Sequence, residues 1–194
     1  MFWLAKSKKT LCLREYNRHF PRTELKLQDY PVNEVNMVLQ AGKMAPDFDL
    51  PVLIGGVKKR FRLAERQGKQ NMVLVFYPLN WEQVSTQQMV AYQVEREKLV
   101  ARETEVVGIS VDSIMNTTAW ERQIGPLDYP LCSDFWPHGE VSRKYGVLRE
   151  AEPFAGASER AIFVVGKAGR IEFSKVYPLN QAPDLQETLN ALRR

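Results

Sequence analysis

The stretch Asn71-Met-Val-Leu-Val-Phe-Tyr77 constrains this chain more than any other. It is a continuous apolar run of strand length, held between polar residues and Pro78. A strand with one wet face alternates; a run this uniform reads as a central strand covered on both faces, as in parallel sheets. A helix fits residues 86 to 102 directly after it. There Met89, Tyr92 and Leu99 fall near one side with Val90 and Val94 beside them, Gln93, Glu97 and Arg102 face water, and Arg96 interrupts the stripe.

The same alternation then repeats. Glu105 to Val111 reads as a second buried strand, and Ser113 to Gln123 as a second helix, capped by Asp112 or Ser113 and stopped at Gly125-Pro126. Alternating strand and helix imply parallel strands joined by right-handed crossovers. A short strand at Tyr129 to Cys132, a short helix from about Gly139 to Tyr145, and a hairpin of Arg160 to Val165 with Arg170 to Val176 about Gly166-Lys-Ala-Gly169 come next. Residues 183 to 193 close the chain as a helix with Pro183 in its first turn. Upstream, Pro46 and Pro51 bracket Phe48 and Leu50 as in a short edge strand, and Gly55-Gly56 reads as a hairpin turn. Leu25 to Leu27 and Val35 to Leu39 are candidate short strands. The predicted fold class is α/β, a thioredoxin-like layout with a central mixed β-sheet flanked by helices.

Composition narrows the function classes. A chain of 194 residues suits one well-cored domain. No segment approaches the roughly 18 apolar residues of a membrane span, and Met1 to Lys6 lacks the apolar core of a signal peptide, so a cytoplasmic location is the expectation. Two cysteines, Cys12 and Cys132, in no C-x-x-C pair, offer no disulfide framework and no zinc knuckle. His19 and His138 have no metal-ligand spacing around them, and neither a metal nor a cofactor is expected. The net charge of +4 sits at the front: residues 1 to 28 hold seven Lys/Arg against two Glu. With acids intervening and no nucleic-acid-binding motif, nucleic acid or an anionic membrane is a disfavoured partner for that arm. The expected organisation is a basic N-terminal extension at 1–40 and a thioredoxin-like domain at 41–194.

Five segments then carry a family resemblance: Ala45-Pro46-Asp47-Phe48, Phe76-Tyr77-Pro78, Gly108 to Ser113, Ser133 to Val147 and Arg160 to Val165. Together they resemble the peroxiredoxins of the alkyl hydroperoxide reductase/thiol-specific antioxidant family over about residues 42 to 192. The resemblance implies hydroperoxide and a thiol reductant as partners if the chain is active, and a homodimer or larger homo-oligomer. Trp81, Phe135 and Trp136 would flank the pocket mouth or, as isolated aromatics often do, belong to the core. The family's motif, Pro-x-x-x-Thr/Ser-x-x-Cys with an Arg from a later strand, falls on Pro78, Glu82, Ser85 and Arg160. Two of those four positions have changed.

The change bears on chemistry. A peroxidatic thiolate is ionised by a helix N-terminus and a nearby Arg, which lower a thiol pKa from about 8.5. A serine hydroxyl is far less acidic and forms no sulfenic acid. The chain as written is therefore expected to be inactive as a peroxidase, either a natural pseudo-enzyme or a Cys-to-Ser variant; the rival expectation is a non-enzymatic binding or scaffold protein. Ser85-Thr-Gln-Gln88 also fits an S-x-x-Q capping box, which assigns Ser85 a purely structural role. Glu82 would either pair with Arg160 or point to solvent, and Arg160 would either serve the site or lie at the surface or a sheet edge. Cys132 reads as an inert buried thiol, and Cys12, among Lys8, Lys9 and Arg14, as the more reactive one.

Overall fold

A computed structural model describes residues 37–192. Strand β3 (Asn71–Phe76) is the predicted central strand, buried on both faces. It lies between β4 (Thr104–Ser110), parallel to it, and β6 (Arg160–Val165), antiparallel. Strand β5 (Leu131–Ser133) continues the parallel set beyond β4, and β7 (Ile171–Tyr177) pairs with β6. The hairpin β1 (Asp49–Ile54) and β2 (Val57–Arg62) completes a mixed seven-stranded sheet in the order β2-β1-β5-β4-β3-β6-β7.

Alternation along β3 divides the core in two. Met72, Leu74 and Phe76 join Phe48, Phe61, Tyr145 and Phe163 on one face, whereas Val73, Val75 and Tyr77 join Met89, Tyr92, Trp120 and Leu189 on the other. The second face is covered by helices α1 (Gln83–Val94), α2 (Arg96–Val100), α3 (Ile114–Ile124) and α5 (Leu185–Ala191); α4 (Glu140–Lys144) adds Val141 to the first. Gly108 in β4 lets α1 come close: a Cβ there would lie 2.9 Å from a Leu131 methyl and 3.3 Å from the Met89 sulfur.

Several expectations need correcting. β1 is not an edge strand, because the basic strand β2, unread in the sequence, lies outside it. The turn between them does use Gly55 and Gly56, at φ 54° and 74°, a conformation glycine adopts without steric cost. The single helix over 86 to 102 begins earlier, at Gln83, and breaks at Glu95 into α1 and α2. Val90 and Val94 are exposed rather than part of its buried stripe. Pro183 precedes the true cap of α5, Asp184, whose carboxylate accepts from the Gln186 amide. Residues 37 to 40 form no strand; instead the Leu39 amide donates to the Tyr145 carbonyl. The candidate strand at Leu25 to Leu27, the basic arm at 1–28, Cys12 and His19 lie outside the described residues.

Candidate functional site

The carboxyl end of β3 runs through the buried Pro78 into a tight loop before α1. Trp81 in that loop has φ 66°, a left-handed conformation that costs a bulky residue on the order of 1–3 kcal/mol and persists only where its surroundings impose it. Here they do. The Asn80 amide donates to Asp112 Oδ2 at 2.7 Å, Asn80 Nδ2 donates to Asn116 and Thr117 of α3, Tyr77 Oη donates to Asn80 Oδ1, and Trp81 Nε1 donates to Asn116 Oδ1. Burial raises the Asp112 carboxyl above its ordinary value, and the Asn80 amide and Ser110 hydroxyl only partly oppose it.

This loop delivers Glu82 to the start of α1, where Glu82 itself is the N-cap. Its Oε1 accepts from the Val84 amide at 2.9 Å and its Oε2 from the Ser85 amide at 2.6 Å. The reading of Ser85 as cap is therefore overturned: Ser85 lies inside the first turn, fully buried, and its Oγ donates to Glu82 Oε2 at 2.7 Å. Glutamate is not among the favoured N-caps. It holds the place because of a partner far along the chain.

That partner is Arg160, the first residue of β6, fully buried between β3 and β7 and thus neither at the surface nor at a sheet edge. Its Nη2 donates to Glu82 Oε2 at 2.9 Å and to the Leu179 carbonyl at 2.9 Å; its Nη1 donates to Gln88 Oε1 at 2.7 Å and approaches Ser85 Oγ at 3.5 Å. Of the two options for Glu82, pairing with Arg160 is the one found, with the Glu82 side chain 20% exposed against 0% for Arg160. Burial pushes the Glu82 carboxyl upward, but the Ser85 hydroxyl, the Val84 and Ser85 amides and Arg160 together hold it below its ordinary value. Burial likewise lowers Arg160, with Glu82 opposing.

The structure thus brings Glu82, Ser85 and Arg160 into one hydrogen-bonded cluster just beyond Pro78. It adds Gln88, read in the sequence only as part of a capping box, and the anchors Asn80 and Asp112. Gln88 was legible as a neighbour of Ser85, since i and i+3 share a helix face; Asp112 was read only as a candidate helix cap, and its contact with Asn80 carried no sequence signal, because the two lie 32 residues apart. Among the described residues no group of three His, Cys, Asp or Glu could hold a metal ion. Cys132 is buried in β5, and burial drives its thiol far above its ordinary pKa, as an inert thiol requires. His138 hydrogen-bonds the Gly156 carbonyl at 2.7 Å. Trp81, Phe135 and Trp136 are exposed, on loops that leave the carboxyl ends of the parallel strands β3 and β5.

Comparisons with known proteins agree with this architecture. A model of the AhpC/TSA family matches residues 41–174. "Putative peroxiredoxin sll0755" of Synechocystis sp. is 36% identical over 162 residues, covering 80% of this chain and 78% of its own length. The "2-cysteine peroxiredoxin, chloroplastic" of Chattonella marina var. antiqua is 32% identical over 163 residues, covering 81% and 80%. Among solved structures, the Enterococcus faecalis AhpC superposes with a TM-score of 0.72 at 27% identity, over 81% of this chain and 92% of that one.

Proposed function

The chain belongs to the AhpC/TSA family, the peroxiredoxins, and we propose that it is a peroxidase-silent member in which the peroxide site has become an internal ion pair. The observation that carries this reading is the Glu82 carboxylate seated on Ser85 Oγ at 2.7 Å and Arg160 Nη2 at 2.9 Å. In the family's motif the residue at position 85 is the thiolate that attacks peroxide, and the Arg stabilises its charge. Here the nucleophile is a hydroxyl with no sulfur to oxidise, and the arginine's charge is answered by a carboxylate. That carboxylate also bears on how the change arose. A lone Cys-to-Ser replacement would leave the hydroxyl residue of the motif at 82, so Glu82 favours natural drift of the pocket.

Two further parts belong to the reading. The chain acts by binding rather than turnover, favoured by the exposed Trp81, Phe135 and Trp136 at the end of the sheet where the ion pair lies. It self-associates, favoured by β7, which among the described residues has a paired neighbour on one side only. In this reading the location is cytoplasmic, as expected from the sequence. Among the described residues no helix is long and apolar enough to cross a membrane.

The test is hydrogen peroxide consumption under excess thiol reductant by the parent chain and by its Cys12→Ser/Cys132→Ser form. Both should consume peroxide no faster than the reductant alone. Rapid turnover by the cysteine-free form would overturn the proposal.

A further inference from the structure

At the amino ends of the parallel strands, away from the ion pair, a cavity of about 240 Å³ opens between α2 and the loops that lead into β3, β4 and β5. Its floor is apolar and buried, made of Leu99, Val106 and Tyr129. The Tyr129 hydroxyl donates to the Met89 carbonyl at 2.6 Å, so its proton is already engaged. The rim carries charge from several elements. Two of its carboxylates are answered within the chain: Glu103 Oε2 by Lys167 Nζ at 2.7 Å, and Asp128 Oδ2 by Gln93 Nε2 at 2.8 Å.

Arg96 and Glu105 are answered only in part. The half-buried Arg96 uses its Nε, which donates to the Asp128 carbonyl at 3.2 Å, while its Nη groups donate to none of the described residues. On Glu105, the Gln70 side-chain amide at 2.5 Å and Arg66 at 3.6 Å both address Oε2, and Oε1 accepts no hydrogen bond from the described residues. Burial raises the Glu105 carboxyl above its ordinary value, with Arg66, Gln70 and Arg96 only partly opposing. Arg96 is thus within electrostatic reach of Glu105, yet among the described residues no ion pair joins the two. Two opposite charges that line one cavity without touching are matched by a ligand that bears both. The cavity is smaller than the ~300–1,000 Å³ of drug-sized pockets, which restricts the ligand to about the size of an amino acid.

We propose that this cavity binds an α-amino acid with an apolar side chain, its carboxylate on the Arg96 guanidinium, its ammonium on Glu105 Oε1 and its side chain over Leu99, Val106 and Tyr129. The planar guanidinium, with both Nη groups open, suits the paired oxygens of a carboxylate. An acid alone would meet Glu103, Glu105 and Asp128 uncompensated, and an amine alone would meet Arg96. The site is independent of the Glu82–Arg160 pair and of whether the chain reduces peroxide.

The experiment is a titration of the full chain with L-leucine, followed by backbone amide chemical shifts, beside isocaproate, which lacks the ammonium, and isoamylamine, which lacks the carboxylate. Leucine should bind saturably at millimolar concentration and shift the amides of Thr104, Glu105 and Asp128. Arg96→Gln and Glu105→Gln each remove one charged hydrogen-bond partner and should weaken leucine binding about tenfold or more. Both analogues should bind weaker than leucine by a similar factor. If Glu105→Gln does not fold, Arg96→Gln and the two analogues decide the matter, since Arg96 makes only one hydrogen bond to the rest of the domain. Absence of saturable leucine binding by the parent, undiminished binding by folded Arg96→Gln, or binding of either analogue as tight as that of leucine would overturn the proposal.

Discussion

Replacing Glu82 by alanine should be among the most damaging single changes in this domain, out of proportion to a residue on a surface loop. The substitution removes the counter-ion of a guanidinium with no exposure to solvent, at an N···O distance of 2.9 Å. Breaking one partner out of a buried pair costs about 3–5 kcal/mol, because the remaining charge is left uncompensated. The lost helix cap, ~1 kcal/mol by itself, overlaps with that figure rather than adding in full. Since the Glu82 side chain keeps some solvent contact, water can reach part of the vacated space, and the lower end, about 3 kcal/mol, is the expected value. For a domain of this size that corresponds to a fall in melting temperature of roughly 6–12 °C. The assay is urea unfolding followed by tryptophan fluorescence, with Asp49→Ala as control. Asp49 pairs with Arg60 at the same 2.9 Å, but both side chains are half or more exposed, so its loss should cost under about 1 kcal/mol. A Glu82→Ala cost no larger than that of Asp49→Ala would refute the buried-pair reasoning.

Other consequences follow from the same contacts. Because the Glu82 carboxyl is held below its unfolded value, its contribution to stability is present above that value, near pH 4.3, and is lost as pH falls through the folded one. The stability advantage of the parent over Glu82→Gln should thus be constant near neutrality and shrink on acidification below about pH 4.5, measured as paired melting curves; an advantage that grows on acidification would contradict it. Asn80→Ala removes the acceptor of the buried Tyr77 Oη and the side-chain bonds from the loop to Asn116 and Thr117 of α3, and should cost about 1–3 kcal/mol in urea unfolding; a neutral change would mean the loop is held by something else. Cys132, in a Cys12→Ser background, should resist a thiol-reactive chromophore until the protein unfolds, and fast labelling of the native protein would show the β5 region to be open.

Which parts of this molecule were legible in its sequence follows from the range of the forces involved. The uniform apolar run of β3 and the alternation around it depend on burial of whole elements, and they announced the sheet and its helices. β2 went unread because Lys58, Lys59, Arg60 and Arg62 give it a charged, exposed outer strand with only Phe61 turned inward, so no apolar pattern survives. Capping rules look four residues ahead, and they favoured Ser85; the structure chose Glu82 because Arg160, 78 positions later, supplies the counter-charge. The ion pair itself was foreseeable as one of two options, since a carboxylate and an arginine fell on motif positions that meet in space. The clamp of Asn80 on Asp112, and the left-handed Trp81 it secures, were invisible because neither residue type nor spacing marks them before the fold brings the two loops together.

The most direct test of the central claim is rapid-mixing peroxide reduction in a Cys12→Ser/Cys132→Ser background, comparing the parent, Ser85→Cys, and Ser85→Cys/Glu82→Thr. A thiol placed where Ser85 Oγ lies, 2.7 Å from a carboxylate oxygen, is held protonated, and Arg160 is occupied. The account predicts no reaction in the parent, a rate no better than that of a free thiol in Ser85→Cys, and a gain of at least tenfold when Glu82 is also replaced. A Ser85→Cys variant that is already fast, with no further gain on replacing Glu82, would contradict the claim that the ion pair has closed this site.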